Sequence, residues 1–220
     1  MKLARLHSRA AAEPYWHVQL AVLVAIVLQL ALTSKLTFGP KYAIAALECV
    51  LLASLIVFAT RTHGLALRVR RGMAILLIAI VSLANISSLA LIINDLLNAR
   101  QVTGKELIIS GLAIYLTNII MFGLWYWELD DEDVTGQDNE AAPVDFLFPQ
   151  TTARTVLRGV RAWSPTFLDY LYVSVTNASA FSPTDTLPLS HRAKALMAAQ
   201  SLISLLTVAL VAARAVNILA

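Results

Sequence analysis

Residues 107–127 read LIISGLAIYLTNIIMFGLWYW, twenty-one positions without a charge. At ~1.5 Å of rise per residue, a helix of that length crosses the ~30 Å hydrocarbon layer of a bilayer. The stretch shows no strand alternation, and in lipid every backbone N–H and C=O needs a partner within its own segment, so it must be a helix. It closes on Trp125-Tyr126-Trp127, the amphipathic rings expected at a membrane interface.

Four further uncharged or nearly uncharged runs of 18 residues or more lie on either side, at residues 16–33, 42–60, 72–93 and 195–213. With 58% hydrophobic and 14% charged residues among 220, and a mean hydropathy of +0.70, the chain departs from soluble composition. The reading is an all-α polytopic membrane protein with five clear transmembrane helices. The basic flank at Lys2, Arg5 and Arg9 is signal-peptide-like, but the first apolar run is too long and no small-residue cleavage pattern closes it. It is expected to be a retained anchor.

Between the fourth and last runs the chemistry changes. Residues 128–145 hold eight of the fourteen acids: Glu128, Asp130, Asp131, Glu132, Asp133, Asp138, Glu140 and Asp145. Without them the rest of the chain would carry +11, a charge suited to anionic lipid headgroups. Three regions follow: a membrane region at 1–127, an acidic then basic exposed linker at 128–162, and a membrane module at 163–220. Loop charge sets the orientation. With the N-terminus inside, Lys2, Arg5, Arg9, Arg61, Arg68, Arg70 and Arg71 are cytoplasmic, against Lys35, Lys41, Arg100 and Lys105 outside. The expected location is the cell membrane, multi-pass, with a cytoplasmic N-terminus.

One membrane-length segment differs from the rest. Residues 163–190 read WSPTFLDYLYVSVTNASAFSPTDTLPLS. Ser164-Pro165 predicts a helix start and Pro183 a stop, so the helix should cover about residues 165–179, roughly 22 Å, short of the bilayer. It is either a short tilted span, making six crossings, or a re-entrant helix. Loop charge favours six crossings. Asp169 at its start and Thr176, Asn177 and Ser179 at its end are costly in lipid and must face protein or water.

This order resembles the pore helix, filter and inner helix of potassium-type channels: Ser174-Val175-Thr176, then Ala180-Phe181-Ser182-Pro183-Thr184-Asp185, then Pro188-Leu189-Ser190 and the long final helix. The resemblance implies that Asp185 closes a filter-like turn. Ser182 and Thr184 stand where the filter pattern has glycines, and Pro183 where it has tyrosine, so potassium selectivity is not supported. A second resemblance is to a family of bacterial integral membrane proteins without an assigned activity. It rests on Asp145-Phe146-Leu147-Phe148-Pro149, Leu168-Asp169-Tyr170-Leu171-Tyr172 and Thr184-Asp185-Thr186. It implies a bacterial inner-membrane protein. The channel resemblance would set the acidic linker outside as a turret; loop charge sets it in the cytoplasm.

Catalysis finds no motif. The four histidines are scattered, Gly104 and Gly111 open no phosphate loop, and Cys49 is embedded in an apolar run. No enzyme activity, cofactor, metal or nucleic-acid partner is expected. Glu48, Asp169, Thr176, Asn177, Ser179 and Asp185 are the candidate ion-path residues; Asn85, Asn118 and Gln200 read as interhelical hydrogen-bonding groups. The expected function is an ion-channel-like pathway for a monovalent cation, completed by homo-oligomerisation in the lipid bilayer. The alternative is a non-conducting membrane scaffold or accessory subunit.

Overall fold

The computed structural model describes residues 16–32, 46–50, 52–53, 65–98, 103–130, 145–153, 164–180 and 185–219. Most of the 42–60 run, the interior of the acidic linker, the cluster Arg154, Arg158 and Arg161, and residues 181–184 of the filter-like turn lie outside them.

The elements are α1 (Trp16–Ala31), α2 (Leu65–Leu97), α3 (Gly104–Asp130), β1 (Phe146–Leu147), the one-turn α4 (Pro149–Ala153), α5 (Phe167–Ala180), β2 (Leu187–Pro188) and α6 (His191–Leu219). Residues 46–50 and 52–53 are also helical. Three stretches are long and apolar enough to cross a membrane: Arg71–Leu96, Gly104–Asp130 and His191–Arg214. Large apolar side chains such as Leu83, Leu112 and Leu202 stand exposed along them, as a lipid solvent requires.

All three helices that flank the acidic chemistry begin or end on polar caps. Thr103 and Glu106 form a reciprocal box at the start of α3, Glu106 N–H donating to Thr103 Oγ1 at 3.3 Å and Thr103 N–H to Glu106 Oε2 at 3.1 Å. Ser190 Oγ accepts Ala193 N–H at the start of α6. α5 starts two residues later than Ser164-Pro165 predicts. Asp169 Oδ2 accepts the Thr166 amide at 2.7 Å and its hydroxyl at 2.9 Å, which makes Thr166 the cap.

α3 is the centre of the bundle, and its contacts run antiparallel along both long neighbours. On α2, Arg71 meets Glu128, Ser82 accepts from Trp125, and Asn85 donates to the Ile114 carbonyl. On α6, Gln200 lies by Tyr126, Ser204 by Asn118, and Val211 against Gly111. α1 is tied in by Gln29, whose amide donates to the Val81 carbonyl at 3.1 Å. Val22, Ile26, Leu77, Val81, Met121 and Leu124 fill the main core, which also takes in Leu52.

The end of α3 at Asp130 gathers the remaining elements. β1 and β2 pair antiparallel, Phe146 opposite Pro188 and Leu147 opposite Leu187. Asp145 N–H donates to Asp130 Oδ1, and Leu189 N–H to the Asp145 carbonyl. α5 starts at the same end, Phe167 edge-on to Trp127 and the Tyr170 hydroxyl on Asp130 Oδ2. From there it descends beside α3, with Leu171 against Gly123 and Ser174 on the Ile119 carbonyl. Fourteen residues of helix carry it ~21 Å in. β2, paired with β1, and Leu189, bonded to Asp145, lie back at the Asp130 end. Arg68, Arg70 and Arg71 of α2 and Arg192 and Lys194 of α6 belong to that same end.

Candidate functional site

The face that α5 turns to the bundle carries Tyr170, Val173, Ser174 and Asn177, spaced as one side of a helix. Its opposite side, Leu168, Tyr172, Val175 and Ser179, is exposed. The inward face meets α3 and α6 in a polar network inside otherwise apolar helices. Gln200 is its hub. Gln200 Nε2 donates to the Ser174 carbonyl at 3.0 Å and to Ser174 Oγ at 2.6 Å. Gln200 Oε1 accepts from the Tyr126 hydroxyl at 2.5 Å and from Asn177 Nδ2 at 2.8 Å. Asn177 Nδ2 also donates to the Met197 carbonyl at 2.9 Å, and Asn177 Oδ1 accepts from Ser201 Oγ at 3.2 Å. Asn118 extends the network one turn deeper by donating to Ser204 Oγ at 3.0 Å.

Every polar atom of the Gln200 and Asn177 side chains is therefore used, across three helices. Buried polar groups persist in this way because an unmade hydrogen bond in a low-dielectric interior costs more than a made one contributes. Each such contact between membrane helices contributes roughly 0.6 kcal/mol, up to ~1.7.

Above the network, at the Asp130 end, sits an aromatic layer. Phe146 packs tilted against Tyr126 and edge-on to Tyr170, and Phe148 packs edge-on to Tyr170. Within it lie two buried carboxylates. Asp130 accepts from Asp145 N–H and the Tyr170 hydroxyl. The Asp145 carboxylate is itself buried, with neither oxygen hydrogen-bonded. Glu128, one residue pair away on α3, is engaged by Arg71 at 3.2 Å.

The six path candidates do not form one cluster. Asp169 is committed to the α5 cap. Thr176 is bonded back to the Tyr172 and Val173 carbonyls of its own helix, at 3.1 and 2.9 Å. Asn177 belongs to the Gln200 network. Ser179 is exposed and bonded back to the Val175 carbonyl at 2.7 Å. Asp185 is exposed in the turn before β2. Glu48 is far removed in kind: wholly buried, with both carboxylate oxygens lacking any hydrogen-bond partner.

The Ser174, Tyr126 and Tyr170 contributions were not singled out from the sequence as a set. The signal was present in the three- and four-residue spacing of Tyr170, Ser174 and Asn177. Among the described residues no three His, Cys, Asp or Glu side chains gather in a way that could hold a metal. Comparisons with protein-family models, curated proteins and solved structures found no match. The functional reading rests on the geometry.

Proposed function

We propose that this chain is an ion-pathway membrane protein in which α5 is a re-entrant helix, the path being completed where copies of the chain meet. The observation that supports this reading is that α5 begins at the Asp130 end of α3 and the chain returns to that end at β2. A helix that stops part-way through a bilayer leaves its last carbonyls without intrahelical partners. Hydrocarbon does not tolerate them, whereas a protein interior or a water-filled cavity does. The partial negative charge at such a terminus also favours a cation. In a single copy the outward side of α5 is open, with Leu168, Tyr172 and Val175 each more than 40% exposed. Homo-oligomerisation around that side would enclose the helix end and the Ser179 hydroxyl, with Asp185 at the mouth.

In this arrangement α1 and the 42–60 run join the three long helices to give five crossings. The basic end, carrying Arg68, Arg70, Arg71, Arg192 and Lys194, faces the cytoplasm with the N-terminus. The α5 entrance then faces the cytoplasm too, the reverse of a turret-outside channel. The cation is monovalent, and the cell membrane is the site of action.

Two measurements test it. In a Cys49→Ala background, single cysteines introduced as Gly136→Cys and Leu187→Cys should label from the same, cytoplasmic, side; labelling from opposite sides would overturn the re-entrant helix. Purified protein in liposomes should then pass K⁺, Na⁺ or H⁺ under a gradient or voltage. Flux no greater than that of empty vesicles favours the second reading, a non-conducting scaffold or accessory subunit. That reading draws on the saturated Gln200–Asn177 network, which ties α3, α5 and α6 as a structural core would.

A further inference from the structure

Two buried carboxylates among the described residues have no hydrogen-bond partner on either oxygen, Glu48 and Asp145. Asp145 lies at the polar end of the bundle beside Asp130 and Tyr170. Glu48 does not. It is completely buried on the same face of its helix as Leu52, four residues on, and Leu52 belongs to the core formed with Val22, Ile26, Leu77 and Val81. Its neighbours Leu47, Cys49 and Val50 are exposed. The carboxyl group therefore points inward, into the apolar centre.

Among the described residues, the apolar stretches of the three long helices that line that core carry no charge. α2 has no Asp, Glu, Lys or Arg at positions 72–94, α3 none at 107–127 and α6 none at 195–213. In α1 the titratable side chain is His17, at the helix start; in α3 they are Tyr115 and Tyr126 within 107–127, the latter held by Gln200, and Lys105, Glu106, Glu128 and Asp130 at the two ends. On the Glu48 helix itself the nearest titratable group is Cys49, which faces outward. An ionised carboxylate in such surroundings would be both desolvated and unpaired, an arrangement proteins avoid by neutralising the group. A metal cation would need several oxygen ligands at once. A proton needs one.

We infer that Glu48 is a proton-binding site in the membrane interior, a carboxyl group that takes up and releases H⁺ without a fixed partner. The site is separate from α5 and stands whether or not the α5 pathway conducts. Intramembrane carboxyls of this kind mark proton relays.

The test is reaction of the full-length protein in lipid with dicyclohexylcarbodiimide, an apolar reagent that adds to a protonated carboxyl group. The acid's O–H adds across one C=N bond, and the adduct rearranges to a stable N-acylurea with no atom lost. Peptide mass analysis should place one intact carbodiimide on Glu48, with labelling falling about ten-fold or more as the pH is raised until the group ionises. A water-soluble carbodiimide should leave it unmodified, and Glu48→Gln should remove the adduct. Should that variant fail to fold, Glu48→Asp retains the carboxyl and must retain the adduct at position 48. Absence of label on Glu48, label that does not change with pH, or label on Asp145 alone would overturn the assignment. Liposome flux is read separately: vesicles that pass no ion while Glu48 still labels in the expected pH-dependent way overturn the pathway reading and leave the proton site intact.

Discussion

Two regions of this bundle bury polar side chains among apolar helices, and they solve the problem in opposite ways. Around Gln200, four side chains from three helices use one another's donors and acceptors until none is left over. At Glu48, a stronger acceptor sits with no donor at all. A saturated network is a structural element: its worth lies in fixing how α5 sits between α3 and α6, and it has nothing free to offer a passing ion. An unsaturated carboxyl group contributes nothing to helix association and has capacity left for a ligand. Polarity inside a membrane thus has two meanings, and the hydrogen-bond inventory separates them.

The largest expected effect tests the saturated side. Gln200→Leu leaves the Tyr126 hydroxyl, the Asn177 amide and the Ser174 hydroxyl without their shared partner and should destabilise the protein by about 2–4 kcal/mol in a reversible unfolding titration in micelles. A change below about 0.5 kcal/mol would mean that the network is not a structural element.

Gly123→Leu should rank next. A Cβ at position 123 would already lie 3.2 Å from the Leu171 Cα, so a larger side chain must push α5 off α3. The expected loss is about 2 kcal/mol, read from the same titration. Wild-type stability would break the antiparallel apposition on which the re-entrant geometry depends.

Asp169→Ala removes the carboxylate that holds the Thr166 amide and hydroxyl, and should cost about 1 kcal/mol while leaving any ion flux unchanged. Loss of flux with unaltered stability would restore Asp169 as a path residue.

The smallest effect belongs to the other region. Glu48→Gln breaks no hydrogen bond, so stability should move by less than about 0.5 kcal/mol, in either direction. A loss of the size expected for Gln200→Leu would show that Glu48 is tied into the bundle after all and would erase the contrast.

Much of the architecture was visible in the hydropathy of the chain, and the parts that were not have physical reasons. The uncharged runs at 72–93, 107–127 and 195–213 located three long helices, yet each helix extends past its run: Leu65–Leu97, Gly104–Asp130 and His191–Leu219. Hydropathy marks the part of a helix that lipid can cover, while caps such as Thr103 and Ser190 decide where the backbone turns. The start of α5 was placed two residues early for the same kind of reason, because the reach of Asp169 back to Thr166 outweighs the preference of proline for a first turn. The β1–β2 ribbon was not legible at all. Two residues per strand carry no alternation, and its register is set by tertiary contacts such as Asp145 on Asp130. Polar residues could be recognised individually as unwelcome in lipid. Which of them would satisfy one another depended on pairings across as many as 86 positions, as for Asn118 and Ser204.

The bond between Asp130 and the Asp145 amide has a mechanical consequence. It joins the two ends of the fourteen-residue stretch 131–144, which carries five acids, to a single point on the membrane end of the bundle. A chain pinned at both ends can travel outward for only half its contour, so at ~3.4 Å per residue its furthest reach is about 24 Å. The negative charge is thereby tethered to the end of the bundle where α3 closes. Any partner that grips it must come within that distance of Asp130 to do so.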